Sequence, residues 1–223
     1  MELNIAHSEF PEQQRGLMIC GYEWGGGDES EDAEKHPIDW EATCTFANKE
    51  LRYGSSALGW DYDNRVKKWF GICGRSLDHD NPGVFEKSII QTNWCDTQNP
   101  RMNGDYSPLW NPAQVKNFLD HVAHFSPNVI LFMGSKLIEA LQYPSTLEQF
   151  EAIAGKCTKP LRVLQKPSDH RQFKISFQTF ERCDLICFPH PSASRGLSDS
   201  YIALFNEEVG ERLAHYESGR MSA

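Results

Sequence analysis

At 223 residues with 39% hydrophobic and 12% aromatic content, the chain carries enough apolar material for one sizeable packed domain spanning 1–223. Its formal charge of −9 weighs against a nucleic-acid partner, because gripping phosphates by counterion release favours basic excess. No apolar run approaches the roughly 18 residues of a membrane span, and the opening MELNIAHSEFPEQQRG lacks the apolar stretch of a secretory leader, so the expected setting is cytoplasmic with no membrane partner.

Much of the acidity is local. GGGDESEDAEK places Asp28, Glu29, Glu31, Asp32 and Glu34 directly after a glycine run, the pattern of a solvated loop. A basic face elsewhere is therefore compatible with the overall charge. The seven cysteines include no CxxC pair, which favours reduced, mostly buried thiols over a disulfide framework or a zinc site.

In chain order, GLMICGYE is a short apolar run ending in glycine, suited to a buried strand. HPIDWEATCTFANKELRYG, residues 36–54, has Trp40, Cys44 and Ala47 at helical spacing and a terminal Gly54, predicting a helix. DYDNRVKKWFGICG predicts a shorter helix, and KSIIQTNWCD a strand with a polar end. NPAQVKNFLDHVAHF is the clearest helix: Asn111 caps it, Pro112 occupies its first turn, and Val115, Phe118, Leu119 and Val122 form its stripe. NVILFMG predicts a strand, followed by SKLIEALQ as a helix stopped at Pro144. STLEQFEAIAG opens with a capping-box pattern from Ser145 to Glu148. QFKISFQTF alternates like a half-buried strand, whereas DLICFP reads as a fully buried one. SDSYIALFNEEVGERLAHY closes the pattern as one helix. There is no internal repeat and no linker that divides the chain.

Alternating strands and helices, with non-alternating strands, predict an α/β fold: three layers, α/β/α, around a mainly parallel four-stranded sheet. Ligands of such sheets bind just beyond the carboxyl ends of the strands. Four ends stand out on that rule: CGYEWGGG, QTNWCD, FMGSKL and FPHPSAS.

In this order the four ends resemble the signature segments of the uracil-DNA glycosylase superfamily. There a Gly-x-Asp-Pro or Gly-x-Asn-Pro-Gly type loop is followed by a strand ending in Asn, one ending in Gly-Ser, and one ending in His-Pro-Ser. The matching segments here are Gly21-Tyr22-Glu23-Trp24-Gly25, Thr92-Asn93, Gly134-Ser135 and His190-Pro191-Ser192. The resemblance implies hydrolysis of the N-glycosidic bond of uracil or a related deaminated base in DNA. It implies Glu23 and His190 as catalytic groups, one stabilising the sugar cation and handling water, the other donating to the departing base. Asn93 would read the base edge through its amide. Tyr22, Trp24 and Phe46 are candidates for stacking on a flipped base. Gly25, Gly26, Ser135 and Ser192 would approach DNA phosphates, and Arg195 or Leu197 would wedge into the duplex.

The departures are also informative. Trp24 stands where proline is usual, and Glu23 where aspartate or asparagine is frequent. The paired cysteines of the iron–sulfur branches are absent, so neither a cluster nor another cofactor or metal is expected. The partner would be DNA, single- or double-stranded, and the protein a monomer. Two other readings stay open: a non-catalytic module of the same fold that binds nucleic acid or protein, and an enzyme acting on a phosphorylated small molecule cradled by Gly25, Gly26 and Gly27.

Overall fold

A computed structural model of the protein describes residues 3, 5–25, 43–99, 104–169 and 171–221. The acidic stretch, Gly26 and the first part of the helix predicted over 36–54 lie outside the described residues. Strand β1 (Leu17–Gly21) leads to the two-residue β2 (Trp24–Gly25), then α1 (Glu50–Tyr53), α2 (Asp61–Ile72) and α3 (Val84–Lys87). After them come β3 (Ile89–Asn93), β4 (Gln98–Asn99), α4 (Pro112–Phe125), β5 (Val129–Met133), α5 (Ser135–Leu141) and α6 (Pro144–Ala154). The chain continues through β6 (Cys157–Leu164), β7 (Ile175–Phe180), β8 (Asp184–Phe188), α7 (Asp199–Ala203) and α8 (Asn206–Met221).

The main sheet is mixed and six-stranded, in the order β3-β1-β5-β8-β7-β6. Its first four strands are mutually parallel, while β7 runs antiparallel to both β8 and β6. The expected four-stranded parallel sheet is thus extended by two strands. The β6 segment escapes a sequence reading because CTKPLRVL contains a proline and exposed basic residues. Such a segment is tolerated only at a sheet edge, and its register shifts between Cys157 and Lys159 and again between Lys159 and Arg162, across Pro160. Its pairing also explains why β7 is buried almost throughout rather than half-buried. The polar positions of β7 are satisfied inside the fold, with Gln178 accepting from Gln142 Nε2 at 2.8 Å.

Two apolar cores sandwich the sheet. On one face α4, α5 and α6 pack Phe118, Val122, Leu137, Leu141 and Phe150 against Met18, Ile130 and Phe132. On the other, α2, α7 and α8 pack Val66, Phe70, Ile202, Val209 and Leu213 against Leu17, Leu131 and Ile186. That is the three-layer arrangement, and no described helix is long and apolar enough to cross a membrane.

Local chemistry moves several predicted boundaries. Within the described part of 36–54 only Glu50–Tyr53 is helical. Just before it Asn48 Oδ1 accepts from the Thr45 amide at 2.7 Å and its hydroxyl at 2.9 Å, a local competition that disfavours helix. Pro144 opens α6 rather than merely ending α5, since its missing N–H is free of consequence at a helix start. The Ser145–Glu148 capping box is accordingly not the helix start. The closing helix is broken at Leu204 and Phe205 into α7 and α8, with Ser198 capping α7 through its side chain.

Candidate functional site

Parallel registration brings the four signature ends to one edge. Gly21 pairs with Asn93 across β1 and β3, and Met133 with Phe188 across β5 and β8, two residues short of His190. From β1 the chain moves outward to β3 on one side, and from β5 to β8 on the other. The topological switch point therefore falls between β1 and β5, the place at which sheets of this kind bind ligands.

Tyr22 fills that switch point. It is 7% exposed and its hydroxyl accepts the Lys136 amide at 3.0 Å in the first turn of α5. Its ring lies over Gly134, whose φ of 150° falls in a region that side chains rarely adopt. Burial pushes the Tyr22 hydroxyl pKa up. The His190 ring stacks nearly parallel to Tyr22, with centroids 5.9 Å apart. Tyr22 therefore serves as a wall behind the histidine more than as an open platform for a base.

His190 is held in one protonation pattern. Nδ1 accepts the backbone amides of Ser192 at 3.3 Å and Ala193 at 3.1 Å, with Ser192 Oγ also at 3.3 Å. An acceptor Nδ1 leaves the proton on Nε2. Burial lowers the imidazole pKa to about 4, so the ring is neutral at physiological pH. Its second aromatic neighbour is Tyr62, at 5.5 Å and tilted by 57°. Tyr62 was not among the sequence candidates, since nothing in its spacing sets it apart at the start of α2.

Asn93 is 9% exposed and lies over Gly21: a Cβ added there would sit 2.3 Å from Asn93 Oδ1 and 3.7 Å from the Tyr62 hydroxyl. The backbone carbonyl of Asn93 accepts from Asn117 Nδ2 of α4 at 3.2 Å. Its side-chain amide has no hydrogen-bond partner among the described residues, which leaves a donor and an acceptor for a ligand. Glu23 is partly exposed and its Oε2 accepts from Thr97 Oγ1 at 3.1 Å. The β2–β4 ladder, with the Trp24 amide donating to the Thr97 carbonyl at 3.1 Å, ties the Glu23 loop to the segment beyond Asn93. Trp24 is half-buried and its Nε1 has no hydrogen-bond partner among the described residues.

Other sequence candidates are placed differently. Phe46 is fully buried, edge-on to Phe70 and beneath Lys49 Nζ, so it is core and presents no face to a base. Leu197 is 6% exposed within the α2–α8 core, so it is not a wedge; packing takes its side chain inward. Arg195 remains exposed at the loop tip, where the Arg171 guanidinium donates to its carbonyl at 3.1 Å. Ser135 and Gly25 are exposed, and Ser192 is exposed with its hydroxyl beside His190. Gly26 lies outside the described residues.

Beneath the site lie two further groups of buried side chains, of which the ion pair leaves no signal in the sequence. Lys49 and Asp63 form a buried ion pair at 2.8 Å, and Gln91, one strand position inward from Asn93 on the same face, donates to Asp63 at 3.3 Å. Cys20, Cys95 and Cys187 are buried near the carboxyl ends of β1, β3 and β8, and burial pushes the latter two thiols up to about 12. All seven cysteines are free. Among the described residues no group of three or more His, Cys, Asp or Glu side chains could hold a metal ion.

A cavity of about 240 Å³ lies at the opposite edge of the sheet, lined by Arg15, Val122, Ser126, Asn128, Ile153 and Arg182. Its arginines are engaged locally, Arg15 with Asn128 and Arg182 with the carbonyl of Ile153 near the end of α6, which is a helix-capping arrangement. The convergent polar groups, Asn93 and His190, are at the other edge. No protein-family model matches the chain and no curated protein matches it.

Proposed function

We propose that the protein is a monofunctional DNA glycosylase that hydrolyses the bond between deoxyribose and uracil or a related deaminated base. The observation that carries the reading is the capping of His190 Nδ1 by two backbone amides, which makes Nε2–H a fixed neutral donor. Cleavage of this bond leaves negative charge on a carbonyl oxygen of the departing base. A preoriented donor in a poorly hydrated site stabilises that charge as it forms. A neutral imidazole suits the task, because protonation to imidazolium would carry a desolvation penalty.

Glu23 stabilises the cationic sugar and accepts a proton from the water that attacks C1′, while the base leaves with the bond's electron pair and is protonated by solvent. Asn93, whose side-chain amide has no partner among the described residues, discriminates bases by matching one edge and leaving the wrong edge unpaired. The same reading has the protein acting on DNA as a cytoplasmic monomer.

The test is a gel assay for abasic sites in single-stranded and duplex oligonucleotides carrying uracil, hypoxanthine or xanthine. Wild type releases at least one of these bases, and His190→Ala lowers the single-turnover rate by about 10²–10⁴-fold. Absence of cleavage by folded protein at micromolar concentration refutes the reading. A second reading, a non-catalytic nucleic-acid-binding module of this fold, is favoured by the inward packing of Leu197, which removes the apolar wedge. Tight oligonucleotide binding by fluorescence anisotropy without base release selects it.

A further inference from the structure

The amides that cap His190 belong to the loop between β8 and α7, which has no regular structure of its own. Arg65 of α2 holds this loop at both ends. Its Nη1 donates to the Pro191 carbonyl at 2.6 Å and its Nη2 to the Leu197 carbonyl. Nε faces Asp199 Oδ1 at 3.4 Å, and Asp199 is in turn fixed by Trp69 Nε1 at 3.0 Å and Lys68 Nζ at 2.6 Å. The guanidinium also lies over the Trp69 ring, 5.6 Å from its centroid. One planar fork thus joins two carbonyls six residues apart, and Ser192 and Ala193 lie between them.

We propose that Arg65 is a positioning residue for His190: by bridging Pro191 and Leu197 it holds the Ser192 and Ala193 amides on Nδ1 and keeps the proton on Nε2. A guanidinium is required because its donors are rigidly arranged in one plane, whereas an ammonium is a single point charge on a flexible stem. Without the clamp the loop carbonyls must find water, the two amides drift, and Nδ1 becomes free to carry the proton. The donor then points at the loop instead of the crevice. The catalytic consequence rests on the glycosylase reading; the tautomer does not.

The experiment is long-range proton–nitrogen NMR of histidine-labelled protein at neutral pH, with His190 assigned by the signals lost in His190→Gln. Wild type shows an Nε2-protonated neutral ring. Arg65→Met, which retains an apolar stem against Trp69, shows a mixture of tautomers at His190, and Arg65→Lys follows it. Base release in single turnover falls by about 10- to 100-fold in both, the scale of a displaced catalytic group. If Arg65→Met does not fold, Asp199→Asn is measured in its place. It keeps an acceptor for Trp69 but removes the charge that orients the guanidinium, and a smaller change of the same kind is expected. An unchanged His190 pattern in a folded variant overturns the proposal, whatever its activity. A wild type that shows the shift pattern and an Arg65→Met protein that loses it, with no base released by the wild type, sustain the clamp and refute the glycosylase reading instead.

Discussion

Gly134→Ala is the substitution through which the switch point is most directly tested. Gly134 has φ of 150° and ψ of 131°, and a Cβ there would lie 2.3–2.4 Å from Tyr22 Cε2, Cζ and the hydroxyl oxygen. Tyr22 must retreat by about 1 Å to restore ordinary contact. It has no free direction, being held by the Lys136 amide and by the rings of Tyr106 at 5.3 Å and His190 at 5.9 Å. Backbone strain of this type costs about 1–3 kcal/mol, overpacking about 1–3 kcal/mol, and the lost hydrogen bond about 1 kcal/mol. The expected destabilisation is about 3–7 kcal/mol, a large part of the roughly 5–15 kcal/mol available to a folded domain. Urea unfolding followed by tryptophan fluorescence reads it directly. With a slope of about 3 kcal/mol per molar, the midpoint falls by about 1–2 M. In a Tyr22→Ala background the overlap disappears, and the added cost of Gly134→Ala drops toward the backbone share alone. A cost below about 0.5 kcal/mol, or one that is the same in both backgrounds, refutes the account.

The buried Lys49–Asp63 pair supplies a contrasting test. Lys49→Met strands Asp63 in the core and is expected to cost about 3–5 kcal/mol, while Lys49→Met combined with Asp63→Leu recovers most of it; equal costs for the single and double variants in urea unfolding would show the pair is not isolated from water. Acid dependence has a definite sign. Burial lowers His190 to about 4 and His7 to about 3, in His7 with a further contribution from Lys49, whereas the unfolded imidazoles titrate near 6.5. Below that pH the unfolded state binds more protons, so stability is fully present above about 6.5 and declines as the pH falls toward 4. Replacing His7 by Gln should flatten the decline, and urea midpoints that stay constant between pH 7 and 5 contradict the buried neutral state. For the site itself, Glu23→Gln is expected to slow base release by about 10²-fold or more without moving the urea midpoint, and Asn93→Asp to change the order of preferred bases; an unaltered preference removes Asn93 from recognition.

How much of this was legible depended on what kind of signal each residue leaves. Contiguous apolar runs such as MIC, IIQT, VILFM and LICF announce strands buried on both faces, and their polar endings point to the edge at which β1, β3, β5 and β8 all terminate. His190 stands out because it ends such a run between two prolines. Arg65 does not, being one of several basic residues on α2, and Lys67 and Lys68 look the same in the sequence. Tyr62 is likewise one more aromatic near a helix start. Phe46 is an aromatic candidate by residue type and Leu197 a wedge candidate by its place after the histidine motif, but both side chains turn into the α2–α8 core.

The identity of the buried strands β1, β3, β5 and β8, the layered arrangement and the sheet edge at which polar groups gather were determined by hydrophobic patterning, which acts locally and over a few residues at a time, whereas β6 was not. The choice of which atom of His190 carries the proton, which aromatic ring stands behind it, and which arginine holds its loop was made only by tertiary structure. The ring and the arginine depend on contacts between residues more than a hundred positions apart, Tyr22 with Lys136 and Arg65 with Leu197, and the loop amides on His190 Nδ1 sit where that arginine holds them. No local periodicity encodes such pairings, because each arises where two separately specified elements happen to meet across the sheet.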